Sequence, residues 1–375
     1  MKRFTRTAVA VAGAALVVVP ATSASAGDGG GHGGHDGDDS VTTVASGLSG
    51  PRQLSEYRGD RAVVAESDSG EVSSVDLESG EVHTLLSGLY TPNGVDYDHG
   101  TLYVVTGEAS APPGEEAPPV PEGAAASSLI IARPDGTILK TIDLLAEELR
   151  QNPDGQPQFG PDNVPYDALS NPFGVLAQGR RVLVADAGAN TVWSVDPRSG
   201  DVEPFFVPPT VDLPGCENAQ PTVVGCDPVP TGLAEGPDGT IYVSTLGAEF
   251  PGAGRVYVLD CWGHEIDRIE GLTSPTGIEV GRHGTVYVSN VIENAPEGDE
   301  PPPDFDPTTV GEITRIATDG SRTESQVVMP TGLLLEDGQL YASAWSIAGF
   351  VAPPDSPPQG EVVRVGLGTF GPVVD

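Results

Sequence analysis

Positive charge is what this 375-residue sequence has least of: 18 Lys and Arg stand against 54 Asp and Glu, a formal charge of −36, and Lys occurs only as Lys2 and Lys140. Nucleic acid is excluded as a partner, because phosphate binding needs a basic patch. Long helices are excluded too. The 49 Gly and 36 Pro are too many to be kept out of helix interiors, and they fit short elements joined by turns, which favours β structure. Long apolar runs are also missing. Beyond the N-terminus no stretch approaches the ~20 apolar residues that span a membrane, and the chain is only 38% apolar.

The N-terminus reads as an address. Lys2, Arg3 and Arg6 precede an apolar run from Ala8 to Val19 and the small residues Ala24, Ser25 and Ala26, the pattern of a cleavable export signal. Residues 1–26 are therefore expected to be a signal peptide and the remainder a secreted, extracellular, monomeric protein. Residues 27–40, GDGGGHGGHDGDDS, hold no apolar side chain to anchor them and are expected to be a disordered linker. The folded domain is then 41–375. Of the three cysteines, Cys216 and Cys226 lie ten apart in a Pro- and Gly-rich stretch, and in an oxidising compartment they are expected to form a disulfide. Cys261 is left over; pairing with either of the others and a buried free thiol both stay open.

The dominant feature is a repeat. A Pro-x-Gly anchor followed by an apolar strand, a turn and a second strand recurs from Pro92, Pro172, Pro230, Pro275 and Pro330, and a sixth copy from Pro51 keeps the spacing with Gln53 in place of Gly. Each copy is followed by a third strand, and the hairpin beyond it usually turns through Gly. Six units of four short strands predict an all-β fold, a six-bladed β-propeller with four-stranded blades. The segment VTTVASGLSGP, 41–51, matches VHTLLSGLYTP, 82–92, in spacing. Residues 41–48 thus read as a fourth strand without a blade of its own, and placing it on the last blade closes the ring. The C-terminal FGPVVD competes for that slot. The long insertions fall on one face, where a rigid scaffold carries binding residues, and 141–150 is the one helix candidate.

With the first strand of each blade innermost, the residue after each anchor Pro is expected at the channel entrance: Arg52, Asn93, Phe173, Thr231, Thr276 and Thr331. The second strands end on the same face with Glu66, Thr106, Asp186, Thr245, Asn290 and Ala344, and Trp345 follows. The ligand-binding candidates are thus the six entrance residues and Trp345. Glu66, Asn93, Asp186 and Asn290 supply oxygens that suit a hard ion such as Ca²⁺ or another divalent cation, with a water-filled channel as the alternative. The histidines fall in the N-terminal tail, in fourth strands or in short turns, and there is no HExxH, Cys-x-x-Cys or Gly-x-Ser-x-Gly motif.

The repeats PTGLAEGPDGTIYVS and NPFGVLAQGRRVLVADAGANTVWSVDPRSGDVE, the opening VASGLSGPRQL and the insertion NPDGQ to DALSNPFGV resemble the ScyD/ScyE family of secreted proteins, which are similar to NHL-repeat and TolB-like six-bladed propellers. The resemblance covers essentially all of 41–375. It implies the propeller fold and an extracellular binding or scaffold protein whose partner is an unidentified small molecule or extracellular molecule, and it brings no catalytic residues. Pro92-Asn93-Gly94 is similar to the motif with which gluconolactonase-like propellers hold a divalent ion, although Phe173 and Thr stand at the matching positions of other blades. That likeness implies the alternative, a divalent-metal-dependent hydrolase, lactonase or lyase working at the axial channel.

Overall fold

The computed structural model describes residues 40–373 apart from 110–118, 162–163, 166–167, 217–222, 297–301, 303 and 351–355. The signal segment and all but the last residue of the 27–40 linker lie outside the described residues. Six antiparallel sheets follow one another along the chain, each starting from its inner strand: Pro51–Glu56, Pro92–Asp98, Pro172–Gln178, Pro230–Glu235, Pro275–Val280 and Leu333–Glu336. Five of the six begin on the anchor Pro. Its fixed φ suits an extended start, and the missing N–H costs nothing at the first residue of a strand. These sheets are blades 1 to 6 of a six-bladed propeller.

Packing between blades explains the alternation. The residue three after each anchor Pro (Leu54, Val95, Val175, Leu233, Ile278, Leu333) is buried in one of six apolar clusters. Each cluster is shared by two neighbouring blades, for example Val63, Ala65 and Val72 of blade 1 with Val95, Leu102 and Val104 of blade 2. The last joins Leu334 and Val362 of blade 6 to Leu54, Val64 and Val75 of blade 1. Because side chains alternate along a strand, the residues two and four after the Pro turn the other way, toward the following blade and the channel, and Ala234 and Leu334 there pack in the clusters shared with that blade.

The N-terminal strand closes the ring. Val41–Leu48 pairs antiparallel with Gly360–Val365 as the outer strand of blade 6, from Val41 opposite Val365 to Leu48 opposite Gly360. The competing C-terminal segment goes elsewhere: Gly371 and Pro372 pair with Glu324 and Thr323 and add a fifth strand to blade 5. The Phe370 ring packs edge-on against Tyr287, 6.0 Å between centroids.

The helix begins later than the sequence suggested. Thr141–Asp143 ends the outer strand of blade 2, and α1 runs Leu144–Gln151. Asp143 caps it, accepting from the Ala146 N–H at 2.9 Å, as short acidic side chains do at helix starts. Cys216 and Cys226 are joined, with Cα atoms 5.2 Å apart, and Val211 and Cys226 exchange two backbone bonds of 2.9 Å. Cys261 is free and exposed. No helix among the described residues is long and apolar enough to cross a membrane.

Candidate active site

The anchor ring is built to hold blades together. Thr231 Oγ1 donates to the Pro275 carbonyl at 2.9 Å, Thr276 to Pro330 at 3.2 Å and Thr331 to Pro51 at 3.2 Å. Asn93 Nδ2 does the same to Pro172 at 3.1 Å. Four of the six entrance side chains thus hand one bond to the next blade. The glycine that follows is required by this closeness. A Cβ on Gly174 would stand 2.2 Å from the Thr231 carbonyl oxygen, and one on Gly277 2.0 Å from that of Thr331. Arg52 is 8% exposed. Its Nε donates to Ser67 Oγ at 3.1 Å, and burial lowers its pKa while Asp68 raises it. Phe173 stays partly exposed and lines the channel. Trp345 packs with Leu333, Leu340, Val310 and Met329 and does not line it.

The four oxygen-bearing residues proposed for a cation make separate hydrogen bonds. Glu66 accepts from the Ser49 N–H at 2.8 Å and Ser73 Oγ at 2.6 Å. Asp186 accepts from Ser170 Oγ and the Asn171 N–H, both at 2.7 Å, the Ala189 N–H at 3.2 Å and Trp193 Nε1 at 3.2 Å. Both carboxylates fasten the linker before the anchor Pro to the end of the second strand. Burial raises the Asp186 pKa, and those donors oppose the rise. Asn290 Nδ2 donates to Thr314 Oγ1 at 2.8 Å within its own blade, while its Oδ1 is buried without a hydrogen-bond partner. No bond joins these residues to one another or to Asn93. Among the described residues no three Asp, Glu, His or Cys side chains are arranged, as they stand, to hold a metal ion. These side chains are engaged separately as they stand, and no step is derived through a metal at the axis.

What the strands do bring together is a pair of carboxyls. A cavity of ≈ 210 Å³ runs along the axis, lined by Gln53, Ser55, Asp96, Phe173, Glu235 and Glu279 besides backbone and aliphatic groups of the inner strands. Asp96 and Glu279 each lie four residues after an anchor Pro, on blades 2 and 5, opposite each other in a ring of six. Their environments differ. Asp96 accepts from Ser55 Oγ, from the Tyr97 N–H at 2.8 Å and from the Ala177 N–H of blade 3 at 2.7 Å. Burial raises its pKa, and these three donors work against the rise. Glu279 takes one donor, the Val280 N–H. Burial, reinforced by the charge of Asp96, pushes it up to about 8. At neutral pH Glu279 is thus a carboxylic acid that can donate a hydrogen bond into the channel.

The channel is less exposed at the end where the inner strands begin. Arg52, Asn93, Thr231, Thr276 and Thr331 are all buried at that end. Toward the short hairpins Ser55, Leu176 and Glu279 are half-buried and Glu235 is exposed. Sequence reasoning missed Asp96 and Glu279. The signal was the period of two along the inner strand: Gly or Gln53 two after the Pro marks the side that faces the following blade and the channel, and the fourth residue shares it.

No protein-family model matches the sequence, and no curated protein matches it. Solved structures do. A gluconolactonase from Xanthomonas campestris is 12% identical, over 86% of this chain and 88% of that one, with a TM-score of 0.52. The PQQ-bound aldose sugar dehydrogenase of Streptomyces coelicolor is 12% identical over 87% and 98%, TM-score 0.52. A luciferin-regenerating enzyme is 10% identical over 88% and 97%, TM-score 0.51. At these identities the likeness is one of fold.

Proposed function

We propose that this chain is an exported propeller that acts on a small polar molecule in its axial channel by acid–base chemistry, as a hydrolase or lyase of the lactonase kind. The observation that carries the reading is the Asp96–Glu279 pair: two carboxyls facing one cavity, one held by three donors and the other protonated at neutral pH. Pairs of acids pushed apart in pKa divide the roles of base and acid. In a hydrolysis, the free lone pair of Asp96 takes a proton from water, whose oxygen bonds to the acyl carbon. The C–O bond to the leaving group breaks, and the leaving oxygen takes the proton of Glu279. Ser55 and the Ala177 N–H keep Asp96 oriented. One propeller of this fold is named a gluconolactonase, and a lactone carries the carbonyl such a pair would polarise.

The test is proton release from a panel of small lactones and esters at pH 7 by the purified mature chain. Turnover lost in both Glu279→Gln and Asp96→Asn supports the reading, and turnover unchanged in either contradicts it. A second reading, a ScyD/ScyE-like extracellular binding protein, is favoured by the ring of spent side chains and by the 210 Å³ cavity, which is below the size of usual drug-like sites. Saturable binding without turnover selects it. The entrance residues Arg52 and Phe173 remain candidates for ligand contact under either reading.

A further inference from the structure

A second group of acids lies away from the axis, under α1 on the insertion-bearing side of blade 3. Glu148, Asp154 and Asp227 line one small cavity of ≈ 20 Å³ together with Gln156, Gln158 and Asn190. Glu148 is 3% exposed and Asp227 4%. Three amides are interleaved with the acids: Gln158 Nε2 donates to Glu148 Oε1 at 2.8 Å, Gln156 Nε2 to Asp227 at 2.8 Å, and Asn190 Nδ2 to Asp154 at 3.2 Å and Asp227 at 3.4 Å. One acceptor is left over. Glu148 Oε2 is buried with no hydrogen-bond partner, and so is Asn152 Oδ1 just beyond the helix end. A buried carboxylate oxygen without a donor is costly, and an orphan of this kind marks a missing ion or water. Among the described residues no Lys, Arg or His lines the cavity, and burial, reinforced by the charges of Asp154 and Asp186, pushes Glu148 up to about 7.

We propose that this pocket is a Ca²⁺ site, with Glu148, Asp154 and Asp227 as its carboxylate ligands. The lining offers oxygen donors of the type Ca²⁺ takes, 6–8 in flexible geometry, and the volume suits a single ion or water. The carboxylates do not converge as they stand because the Gln156 and Asn190 NH₂ groups are donated between them. Turning the Gln156 amide over replaces its NH₂ with an oxygen ligand. The bound ion would tie three parts of the chain together: the 144–158 insertion through Glu148 and Asp154, the segment after the disulfide through Asp227, and through them the edge of blade 3. This inference is independent of the axial chemistry.

The test uses the mature chain, stripped with a chelator and titrated with Ca²⁺ by calorimetry and thermal unfolding. Terbium luminescence sensitised through Trp193, which bonds Asp186, gives a local readout. The expected result is one Ca²⁺ per chain, a melting temperature that rises with Ca²⁺, and affinity at least tenfold weaker in Glu148→Gln and Asp227→Asn. Glu148→Gln is isosteric and should fold as well as the parent without the ion, which separates lost binding from lost fold. Glu279→Gln should bind Ca²⁺ as the parent does. No saturable binding up to a few millimolar, or variants at Glu148 and Asp227 that bind within tenfold of the parent, would overturn the site.

Discussion

Gln53 of blade 1 reaches past blade 2 to the backbone of blade 3: its Nε2 donates to the Val175 carbonyl at 2.7 Å, and its Oε1 accepts from the Val175 N–H at 3.0 Å. It stands where the other five anchors have Gly, and it lies over Gly94, whose missing Cβ would be 2.6 Å from Oε1. The departure from the repeat is thus a brace from blade 1 to blade 3 that crosses the inner strand of blade 2 at Gly94. Gln53→Ala should cost about 1–3 kcal/mol, the penalty of unpaired buried polar groups, in chemical denaturation. A loss below a few tenths of a kcal/mol would show that water replaces the brace.

Ring closure is carried by the N-terminal strand. Removing residues 27–39 should leave the melting temperature unchanged, whereas removing 27–48 exposes the edge of Gly360–Val365 and uncovers Ala45 and Leu48, both buried. Stability should fall by several kcal/mol. Equal melting temperatures of the two truncations would contradict the closure.

The Thr331 hydroxyl links the last blade to the first through Pro51. Thr331→Val keeps the β-branched shape and removes the bond to the Pro51 carbonyl and the contact with Ser343 Oγ at 3.1 Å, for an expected loss of about 1–2 kcal/mol. Equilibrium unfolding in urea measures it.

The pH dependence follows from Glu279. Its proton affinity in the folded chain exceeds the ordinary value of 4.5 and reaches about 8, so the folded state holds a proton the unfolded state has lost. Its contribution to stability is full below about pH 4.5 and disappears as pH rises through about 8. Other buried acids share this direction, so the comparison must be with Glu279→Gln. Between pH 5 and 9 the variant should gain on the parent by a few kcal/mol, read as unfolding midpoints. A pH-independent difference would contradict a protonated Glu279.

Much of the fold was legible because the repeat constrains it six times over. Pro51, Pro92, Pro172, Pro230 and Pro275 each begin an inner strand, and the match of 41–51 to 82–92 located the closing strand. The Cys216–Cys226 disulfide followed from spacing. The site was less legible. Thr231, Thr276 and Thr331 looked like ligand groups because they are polar and near the axis, but the sequence does not reveal that a carbonyl of the next blade lies within reach of each hydroxyl. Asp96 and Glu279 share no repeated motif, since the residues at the same place in other blades are Ser55, Leu176, Ala234 and Leu334. Only the inner-strand alternation, tied to the Gly that must face the neighbouring blade, puts them on the axis. The carboxyls under α1 join Glu148 and Asp154 of one insertion to Asp227, which is 71 residues beyond Gln156, and periodicity cannot pair insertions that fold against each other.

The most direct measurement is a titration of protein labelled with ¹³C at the glutamate carboxyls, followed by NMR and repeated on Glu279→Gln. The account predicts one resonance that titrates near pH 8, vanishes in the variant and shifts downward in midpoint when Asp96 is changed to Asn. Every glutamate titrating below pH 6, or a high-pH resonance that survives Glu279→Gln, would contradict a protonated acid facing Asp96 across the channel.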